Sequence, residues 1–340
     1  MNRAELFESF FAGRAPTLWC PLISHYDGRG NFDEKRFSAH ITALSPYVGG
    51  YLAPGSTGDG WEMGESEAME LVDLLREVLV RHQRLLLVGV LKTKRGEAAR
   101  AAEVVKSRFG FDGRPGSLKT EGVCGITVTA PKGADLPQEL IEEELSSILS
   151  VGLPTALYQL PQITENNISP ETAASLASAH PNFYLFKDTG GEDRVALEAE
   201  LPDDLFLVRG AEGGYYRWLR GAGGPYNGFL LSTANSFAGE LSRIIEAVEE
   251  GSIERAKELS DTLSRTVQEA FSIVEPLPFG NPFANANKAV DHFMAYGHAW
   301  NKADFPMTHA KERMPGQVME KISELLQREH LMPSTGYLDA

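Results

Sequence analysis

The chain alternates short apolar, β-branched runs with longer amphipathic stretches, and this rhythm limits its fold more than any other feature. Eight runs are candidate strands that recur about every 27 residues, close to the ~30 residues of one strand, one helix and two connections. They span residues 17–24, 50–54, 85–91, 123–130, 155–160, 183–187, 205–209 and 227–232. This pattern predicts repeated βα units, and eight units in this length favour an α/β fold closed into a (β/α)8 TIM barrel over an open doubly wound sheet.

The stretches between and after these runs complete the predicted organisation. Amphipathic helices are predicted over 65–81, 96–109, 137–150 and 236–250, and the glycine-rich stretch 110–122 is predicted to be a surface insertion. After residue 250 no strand pattern remains, and helices are predicted over 253–273, 283–300 and 317–329, followed by a loose tail over 332–340. We therefore expect a barrel over 1–250, a C-terminal helical module over 251–330 and a tail over 331–340.

Charge and composition exclude several classes of partner. The 340 residues carry a formal net charge of −15, which disfavours nucleic acid and anionic membrane surfaces. The longest apolar runs fall far short of the ~20 residues that cross a bilayer, and the first eleven residues lack the features of a signal peptide. Two cysteines, Cys20 and Cys124, allow neither a disulfide framework nor a cysteine-based zinc site. We expect a cytoplasmic protein without nucleic-acid or membrane partners.

The histidines do not follow a metal-binding spacing. None of the eight is separated from another, or from a carboxylate, in a pattern typical of a metal site, so a metal-dependent aldolase is disfavoured. Surface and helix-cap positions are expected for all of them: His25, His40, His82, His180, His292, His298, His309 and His330.

Two strand ends carry residues suited to chemistry, because the active site of a parallel barrel gathers at the C-terminal ends of its strands. Lys187 ends the sixth predicted strand. Desolvation there would favour a neutral amine able to attack a carbonyl, and the alternative is a lysine that extends from the strand end and pairs with Asp188. Tyr158 ends the fifth strand. It is placed either to relay protons near an imine or to fill the core with its hydroxyl hydrogen-bonded.

The second strand runs into a glycine turn that contains Gly55, Ser56 and Thr57. Backbone N–H groups and two hydroxyls at such a turn can bind a carboxylate, and an ordinary glycine turn is the alternative. The later glycine-rich stretches 210–214 and 220–224 do not match the dinucleotide-binding fingerprint.

Taken together, five motifs give the chain a family resemblance. They are Gly55-Ser56-Thr57-Gly58, Leu157-Tyr158-Gln159-Leu160-Pro161, Phe186-Lys187-Asp188-Thr189, the stretch 228–235 and Glu254-Arg255-Ala256. In order and spacing they resemble the dihydrodipicolinate synthase and N-acetylneuraminate lyase family, over roughly residues 17–300. The resemblance implies a (β/α)8 barrel with a small helical C-terminal domain, usually a homotetramer, that handles pyruvate or another 2-oxo acid through a lysine imine.

The resemblance also implies roles for individual residues. Lys187 would form the Schiff base, and Tyr158 would be the acid and base. The turn of Gly55, Ser56 and Thr57 would bind the 2-oxo acid carboxylate, with Thr57 also linked to Tyr158, and the Leu230 carbonyl would lie beside the imine. Because a protonated imine is itself an electron sink, no metal or organic cofactor is needed.

Four positions depart from the family pattern. Ile163 stands where the lysine-pathway synthases have an arginine for the aldehyde substrate, and the stretch 129–133 lacks the tyrosine that those synthases lend across a dimer interface. Glu212 is at most one acid of the pair found in sialic acid lyases, and Asp59 replaces a glutamate after the glycine turn. The two activities that name the family are therefore not favoured.

Three functions remain open from the sequence. The first is a Schiff-base aldolase or lyase acting on pyruvate or another 2-oxo acid through Lys187, assembled as a dimer or tetramer. The second is a 4-hydroxy-tetrahydrodipicolinate synthase that condenses pyruvate with aspartate semialdehyde. The third is a non-catalytic 2-oxo acid sensor or binding protein. Lys132 and Arg194 are candidates for meeting a second anionic group or for a solvated face, and Lys288 is expected to be structural.

Overall fold

Eight parallel strands close into a barrel in sequential order, which confirms the predicted (β/α)8 architecture. The computed structural model describes residues 2–338. The strands are β1 (Leu18–Pro21), β2 (Gly50–Ala53), β3 (Leu85–Val90), β4 (Val123–Thr129), β5 (Thr155–Gln159), β6 (Phe183–Asp188), β7 (Phe206–Arg209) and β8 (Gly228–Leu230). Nearly every strand residue is buried, as expected for a parallel sheet covered by helices on its outer face.

Helices surround the barrel and then continue beyond it. Those up to the end of the barrel are α1 (Arg3–Phe11), α2 (Glu34–Leu44), α3 (Glu65–Arg81), α4 (Glu97–Arg108), α5 (Pro115–Thr120), α6 (Gln138–Leu149), α7 (Pro161–Thr164), α8 (Pro170–Ala179), α9 (Arg194–Glu198), α10 (Tyr215–Trp218) and α11 (Ala234–Glu249). Three more follow: α12 (Ile253–Val274), α13 (Pro282–Tyr296) and α14 (Gly316–Arg328). None of the helices between residues 2 and 338 combines the length and apolar character needed to cross a bilayer.

The register of the strands sets which side chains share a level of the barrel. Thr129 of β4 is paired with Tyr158 of β5, Tyr158 with Lys187 of β6, and Lys187 with Val208 of β7. Side chains alternate between the two faces of a strand, and paired residues of adjacent strands point to the same face. Tyr158 and Lys187 therefore lie side by side at the C-terminal end of the barrel.

Two irregular segments are more ordered than expected, although 110–122 is mostly exposed, as predicted for a surface insertion before β4. The stretch 110–122 holds the helix α5, which begins with Pro115 in its first turn and buries Leu118 completely. The tail is not loose as far as Leu338, because the N–H groups of Tyr337 and Leu338 donate to the carbonyls of Met294 and Ala295, at 3.0 Å each. Its last two residues, Asp339 and Ala340, lie outside the described residues.

Helix α13 connects the C-terminal helices to the barrel. It begins after Asn281, whose side-chain oxygen accepts the N–H of Ala284 at 2.8 Å, with Pro282 at the first helical position. Ten consecutive residues from Ala284 to Phe293 are buried, including Lys288. A helix that is buried this extensively is enclosed by the structure on most of its circumference.

Candidate active site

Lys187 lies inside the barrel at the end of β6 and is only 4% exposed. Its ammonium nitrogen is 4.0 Å from the centroid of the Tyr158 ring. Within residues 2–338 the structure shows no hydrogen bond or ion pair to this nitrogen, so the alternative in which Lys187 pairs with Asp188 is wrong. A buried lysine without a counter-ion is rare, because desolvating the charge is costly, and such a lysine usually has a role in binding or catalysis.

Tyr158 is also almost fully buried, at 4% exposure, and presents its ring face to Lys187. Its hydroxyl makes no hydrogen bond with any described residue. A core tyrosine normally finds a partner for that hydroxyl. The alternative of a core tyrosine with a satisfied hydroxyl is therefore wrong, and the group is left available to a ligand.

Asp188 points away from Lys187, because successive strand residues alternate in direction. Its Oδ1 accepts the N–H of Gly190 at 2.8 Å, whereas its Oδ2 is buried and has no partner among the described residues. Burial raises the pKa of this carboxyl to about 6, against the opposing hydrogen bond from Gly190 and with a smaller contribution from Asp193. The buried Arg209 and Asp193 form an ion pair beside it, at 2.9 Å.

The glycine turn after β2 forms one turn of 3-10 helix, Ser56–Gly58. The N–H groups of Gly58 and Gly60 both donate to the Gly55 carbonyl, at 3.0 and 2.9 Å. No described residue accepts a hydrogen bond from the backbone N–H groups of Ser56 and Thr57, which stand at the free start of the turn. The Ser56 Oγ accepts the indole N–H of Trp61 at 2.8 Å, so its own hydrogen remains to be donated. The turn thus offers an anion several unused donors.

Not every predicted contact is present. No hydrogen bond joins Thr57 to Tyr158 in the described chain, so that link in the proton relay stays a prediction. Leu230 is the last residue of β8 and is buried, and the role of its carbonyl likewise stays a prediction.

Two residues near Lys187 escaped the sequence analysis. A Cβ on Gly210 would overlap Cγ2 of Thr189 and lie 2.9 Å from Cε of Lys187, so a side chain at this position would crowd both residues. Thr129, paired with Tyr158, carries a buried hydroxyl without a partner in the described chain. The position of Gly210 directly after β7 was the one signal that could have identified it.

The outer rim of the site comprises residues 130–132, 163–165 and 211–212, and its charged side chains already have partners. Ile163 is partly buried in α7, and Lys132 pairs with Glu165 at 3.0 Å. The carboxylate of Glu212 accepts hydrogen bonds from the hydroxyls of Tyr215, Ser232 and Thr233 at 3.0, 2.7 and 2.7 Å, and the Thr233 N–H at 3.1 Å. Arg194, the other candidate, pairs with Glu198 on α9.

The histidine prediction was wrong for part of the set. His25, His40 and His292 are buried, and His40 lies 3.3 Å from a carboxylate oxygen of Asp291. Ligand atoms of His25, His40 and Asp291 all lie within 4.8 Å of one another, which is close enough to hold one metal ion. However, the two nitrogens of His40 meet His25 at 3.0 Å and the Asn235 carbonyl at 2.7 Å.

Asp291 is engaged in the same way. Its two oxygens accept hydrogen bonds from Tyr337 at 2.8 Å and Arg36 at 2.7 Å. Burial lowers the pKa of both His25 and His40, which keeps the rings neutral. In this structure the three side chains are joined in an internal hydrogen-bond chain. Sequence spacing misses this chain because His40 and Asp291 are about 250 residues apart.

A closed (β/α)8 barrel with a buried, uncompensated lysine beside a tyrosine at its strand ends defines the class of lysine-dependent barrel aldolases and lyases. Comparison with known proteins agrees with this class. The chain belongs to the dihydrodipicolinate synthetase family, whose model matches residues 16–287.

Relatives span almost the whole chain. It is 24% identical over 321 residues to the 4-hydroxy-tetrahydrodipicolinate synthase of Methanospirillum hungatei, covering 94% of this chain and 99% of that protein. Two solved structures share the fold. The dihydrodipicolinate synthase of Thermotoga maritima has a TM-score of 0.71 at 18% identity and covers 93% of this chain and 99% of that one. A variant of the Sulfolobus solfataricus 2-keto-3-deoxygluconate aldolase has a TM-score of 0.71 at 15% identity and covers 93% and 96%.

The family assignment confirms the resemblance read from the five sequence motifs. The chain is a lyase of the class I aldolase type, and enzymes of this family bind 2-oxo acid substrates.

Proposed function

We propose that this protein binds pyruvate or another 2-oxo acid as an imine on Lys187 and makes or breaks a carbon–carbon or carbon–oxygen bond next to it. The observation that carries the proposal is the buried Lys187 nitrogen, which has no counter-ion in the part of the chain that the structure describes and lies 4.0 Å from the centroid of the Tyr158 ring. In this scheme the amine attacks the keto carbon to give a carbinolamine. Loss of water then leaves a protonated imine that accepts the electron pair of the adjacent bond.

Each neighbouring group has a task in the same scheme. The free Tyr158 hydroxyl gives a proton to the departing water and takes one back on hydrolysis, as general acid–base catalysis requires. The donors of Ser56 and Thr57 bind the carboxylate and orient the keto carbon toward Lys187. The carboxylate thus fixes one end of the substrate, and the chemistry takes place at the other.

The residues of the outer rim favour a second substrate that carries no carboxylate. Ile163 brings no charge, and Lys132 is engaged by Glu165, so the rim has no free cation among these residues. Glu212 is likewise committed to Tyr215, Ser232 and Thr233. We infer that the product or partner of the 2-oxo acid is a neutral aldehyde or a leaving hydroxyl group.

A 4-hydroxy-tetrahydrodipicolinate synthase is the second candidate. The name of the Methanospirillum hungatei relative, at 24% identity over nearly the whole length, favours it. Ile163 argues against it, since aspartate semialdehyde carries a carboxylate that would meet an apolar side chain. A coupled assay with pyruvate and aspartate semialdehyde separates the two candidates.

Imine trapping tests the proposed function. The protein is incubated with pyruvate and sodium borohydride, digested, and the peptides are mapped by mass spectrometry. We expect one reduced adduct, on the peptide that contains Lys187. Lys288 is the internal control, because it is also buried, at 2% exposure. An adduct on Lys288, or on neither lysine, would refute the proposal. Binding of pyruvate without any turnover would instead favour a 2-oxo acid sensor.

Three further properties are proposed with it. We expect the barrel and the C-terminal helices to divide near residue 250. We expect a dimer or tetramer, as the resemblance to the family implies, and light scattering would measure the mass. We place the enzyme in the cytoplasm, where the buried thiols of Cys20 and Cys124 stay reduced.

A further inference from the structure

The turn that would bind the substrate carboxylate is held from outside the barrel. We propose that Lys288 and Asn281 of the C-terminal segment are positioning residues that keep the Ser56–Asp59 turn in its carboxylate-binding geometry, with Asp59 as the link. This inference rests on the proposed function, because it assigns the carboxylate to that turn.

The first contact is a buried ion pair. The Lys288 ammonium donates to Oδ2 of Asp59 at 2.7 Å, and both side chains are only 2% exposed. The same nitrogen donates to the Met307 carbonyl at 3.2 Å and lies 4.5 Å from the centroid of the Tyr26 ring. Three neighbours therefore hold the Lys288 ammonium beside Asp59. An ion pair this deeply buried is seldom a source of stability, since desolvation offsets its attraction, but it fixes geometry well.

The second contact comes from the residue that begins α13. The Asn281 side-chain amide donates to the Ser56 carbonyl at 3.1 Å, while its oxygen caps the helix. One residue thus joins the start of α13 to the turn, and Lys288 joins the turn to the helix two turns further along. The turn is held at both its ends by a single rigid helix.

The barrel side leaves the turn no room to relax. The Ser24 hydroxyl donates to the Gly58 carbonyl at 2.6 Å, and a Cβ on Gly58 would lie 2.3 Å from the Leu22 carbonyl. Asp59 follows with a left-handed φ of 58°, a conformation that aspartate tolerates better than most residues. The loop after β1 and helix α13 therefore clamp the turn between them.

Trp61 provides a direct reporter of this turn. Its indole N–H donates to Oγ of Ser56 at 2.8 Å, so the chemical shift of that proton reports the position of Ser56 whether or not a ligand is bound. The chain has four tryptophans, and the variant Trp61→Phe assigns the resonance in a ¹⁵N-indole spectrum. A purely stabilising ion pair would leave this resonance where it is in the folded protein.

The test compares variants of the full-length protein. Lys288→Met removes the charge of the lysine. The double variant, Asp59→Asn with Lys288→Met, also avoids leaving an isolated buried carboxylate. Asn281→Ser keeps an oxygen that can cap the helix but loses the amide donor to Ser56. Arg3→Met is the matched control, since Arg3 is a buried cation that donates to the Phe183 carbonyl at 2.7 Å, at the opposite end of β6 from Lys187. Circular dichroism and thermal melting verify that each variant is folded.

Two ketones separate positioning from general damage. Borohydride trapping on Lys187 is measured against the concentration of pyruvate, which has a carboxylate, and of acetone, which has none. We expect the double variant to need at least tenfold more pyruvate for half-maximal trapping, with acetone trapping unchanged and the Trp61 indole resonance displaced. Asn281→Ser should show the same pattern at about threefold, and Arg3→Met should change neither readout. These estimates assume the loss of one or two polar contacts to the turn.

Two results would overturn the inference. One is a folded double variant whose pyruvate dependence and Trp61 resonance both match the parent, and the other is a parallel loss of pyruvate and acetone trapping. If the parent protein traps no pyruvate at all, the proposed function fails. The Trp61 indole resonance then tests by itself whether Lys288 positions the turn. An unchanged resonance in the double variant would reject that positioning role.

Discussion

The inner site and the outer rim of the barrel mouth are built in opposite ways. The inner site, formed by Lys187, Tyr158 and the turn 55–59, keeps its amine, its phenol and several turn donors without partners among residues 2–338. On the outer rim, which comprises 130–132, 163–165 and 211–212, the charged groups are already paired, as Lys132 is with Glu165. Buried polar groups without hydrogen-bond partners indicate where a ligand binds. Where the polar groups already have partners, the shape of the surface is what selects the ligand. The chemistry is thus fixed at one end of the substrate and the partner is left open at the other.

The largest effect is expected when the inner site loses its amine. Lys187→Met keeps the length and apolar stem of the side chain but removes the nucleophile. We expect turnover to fall by ~10⁴-fold or more and borohydride trapping of pyruvate to disappear. Lys288→Met serves as the comparison, because it removes another buried lysine and should still trap pyruvate when the ketone is saturating. Residual trapping in Lys187→Met would assign the imine elsewhere.

The next effect concerns the phenol. Tyr158→Phe retains the ring that faces Lys187 and removes the free hydroxyl. General acid–base catalysis contributes about 10²–10⁴-fold, and we expect a loss of that order in the rate of imine formation. The pyruvate concentration for half-maximal trapping should change little, because the carboxylate donors remain. Stopped-flow trapping measures the rate, and a variant with the parent rate would remove Tyr158 from the mechanism.

The third effect concerns the pH dependence of the free energy of unfolding, and it comes from Asp188, the residue after Lys187 on β6. Burial raises the pKa of its carboxyl from 3.8 to about 6, so the folded protein holds this proton more tightly than the unfolded chain does. The resulting stabilisation is complete below about pH 3.8 and is lost as the pH rises through about 6. An amide at this position does not titrate.

Relative to Asp188→Asn, the parent should therefore lose up to ~3 kcal/mol of stability between pH 4 and pH 7. Urea unfolding of both proteins at the two pH values measures this difference. Equal differences at pH 4 and pH 7 would show that Asp188 keeps an ordinary pKa in the folded state.

The smallest effect is expected on the outer rim. Ile163→Arg introduces a cation without a carboxylate partner on the rim, and a charge-assisted hydrogen bond to a carboxylate is strong enough to raise kcat/KM for aspartate semialdehyde by about tenfold. Ile163→Met, which keeps the position apolar, is the control. If the parent already condenses aspartate semialdehyde efficiently and Ile163→Arg adds nothing, the contrast between the inner site and the outer rim does not hold.

The strands and the reactive pair follow from local sequence. The predicted runs coincide with the strands to within a few residues, and Lys187 and Tyr158 stand at strand ends because the apolar runs that contain them stop there. The first strand is shorter than predicted and ends at Pro21, although the apolar pattern continues to residue 24. Apolar character marks burial, and buried chain that leaves the sheet carries the same signal.

The supporting residues do not follow from local sequence. Asp59 and Lys288 are 229 residues apart, and no periodicity links an aspartate after a glycine turn to a lysine on a distant helix. Lys288 was expected to be structural. Its ion pair with Asp59 shows that the structure it supports is the turn of the inner site. Gly210 was recognised only as part of a glycine-rich stretch, because its meaning lies in the 2.9 Å clearance to Lys187. Such distances exist only once the barrel has closed.

The pairing of Tyr158 with Lys187 across β5 and β6 has an evolutionary consequence. One extra residue in β6, Tyr184, is accommodated at the start of the pairing, before Leu185 pairs with Ala156. Beyond that point a slip of one residue would turn Tyr158 or Lys187 out of the barrel, so insertions and deletions between Ala156 and Tyr158, or between Leu185 and Lys187, would be selected against. The loops beyond the strand ends carry no such restriction. Substrate preference in such a barrel can drift by changes in loop length and sequence, while the reactive pair is inherited as a fixed unit of the sheet.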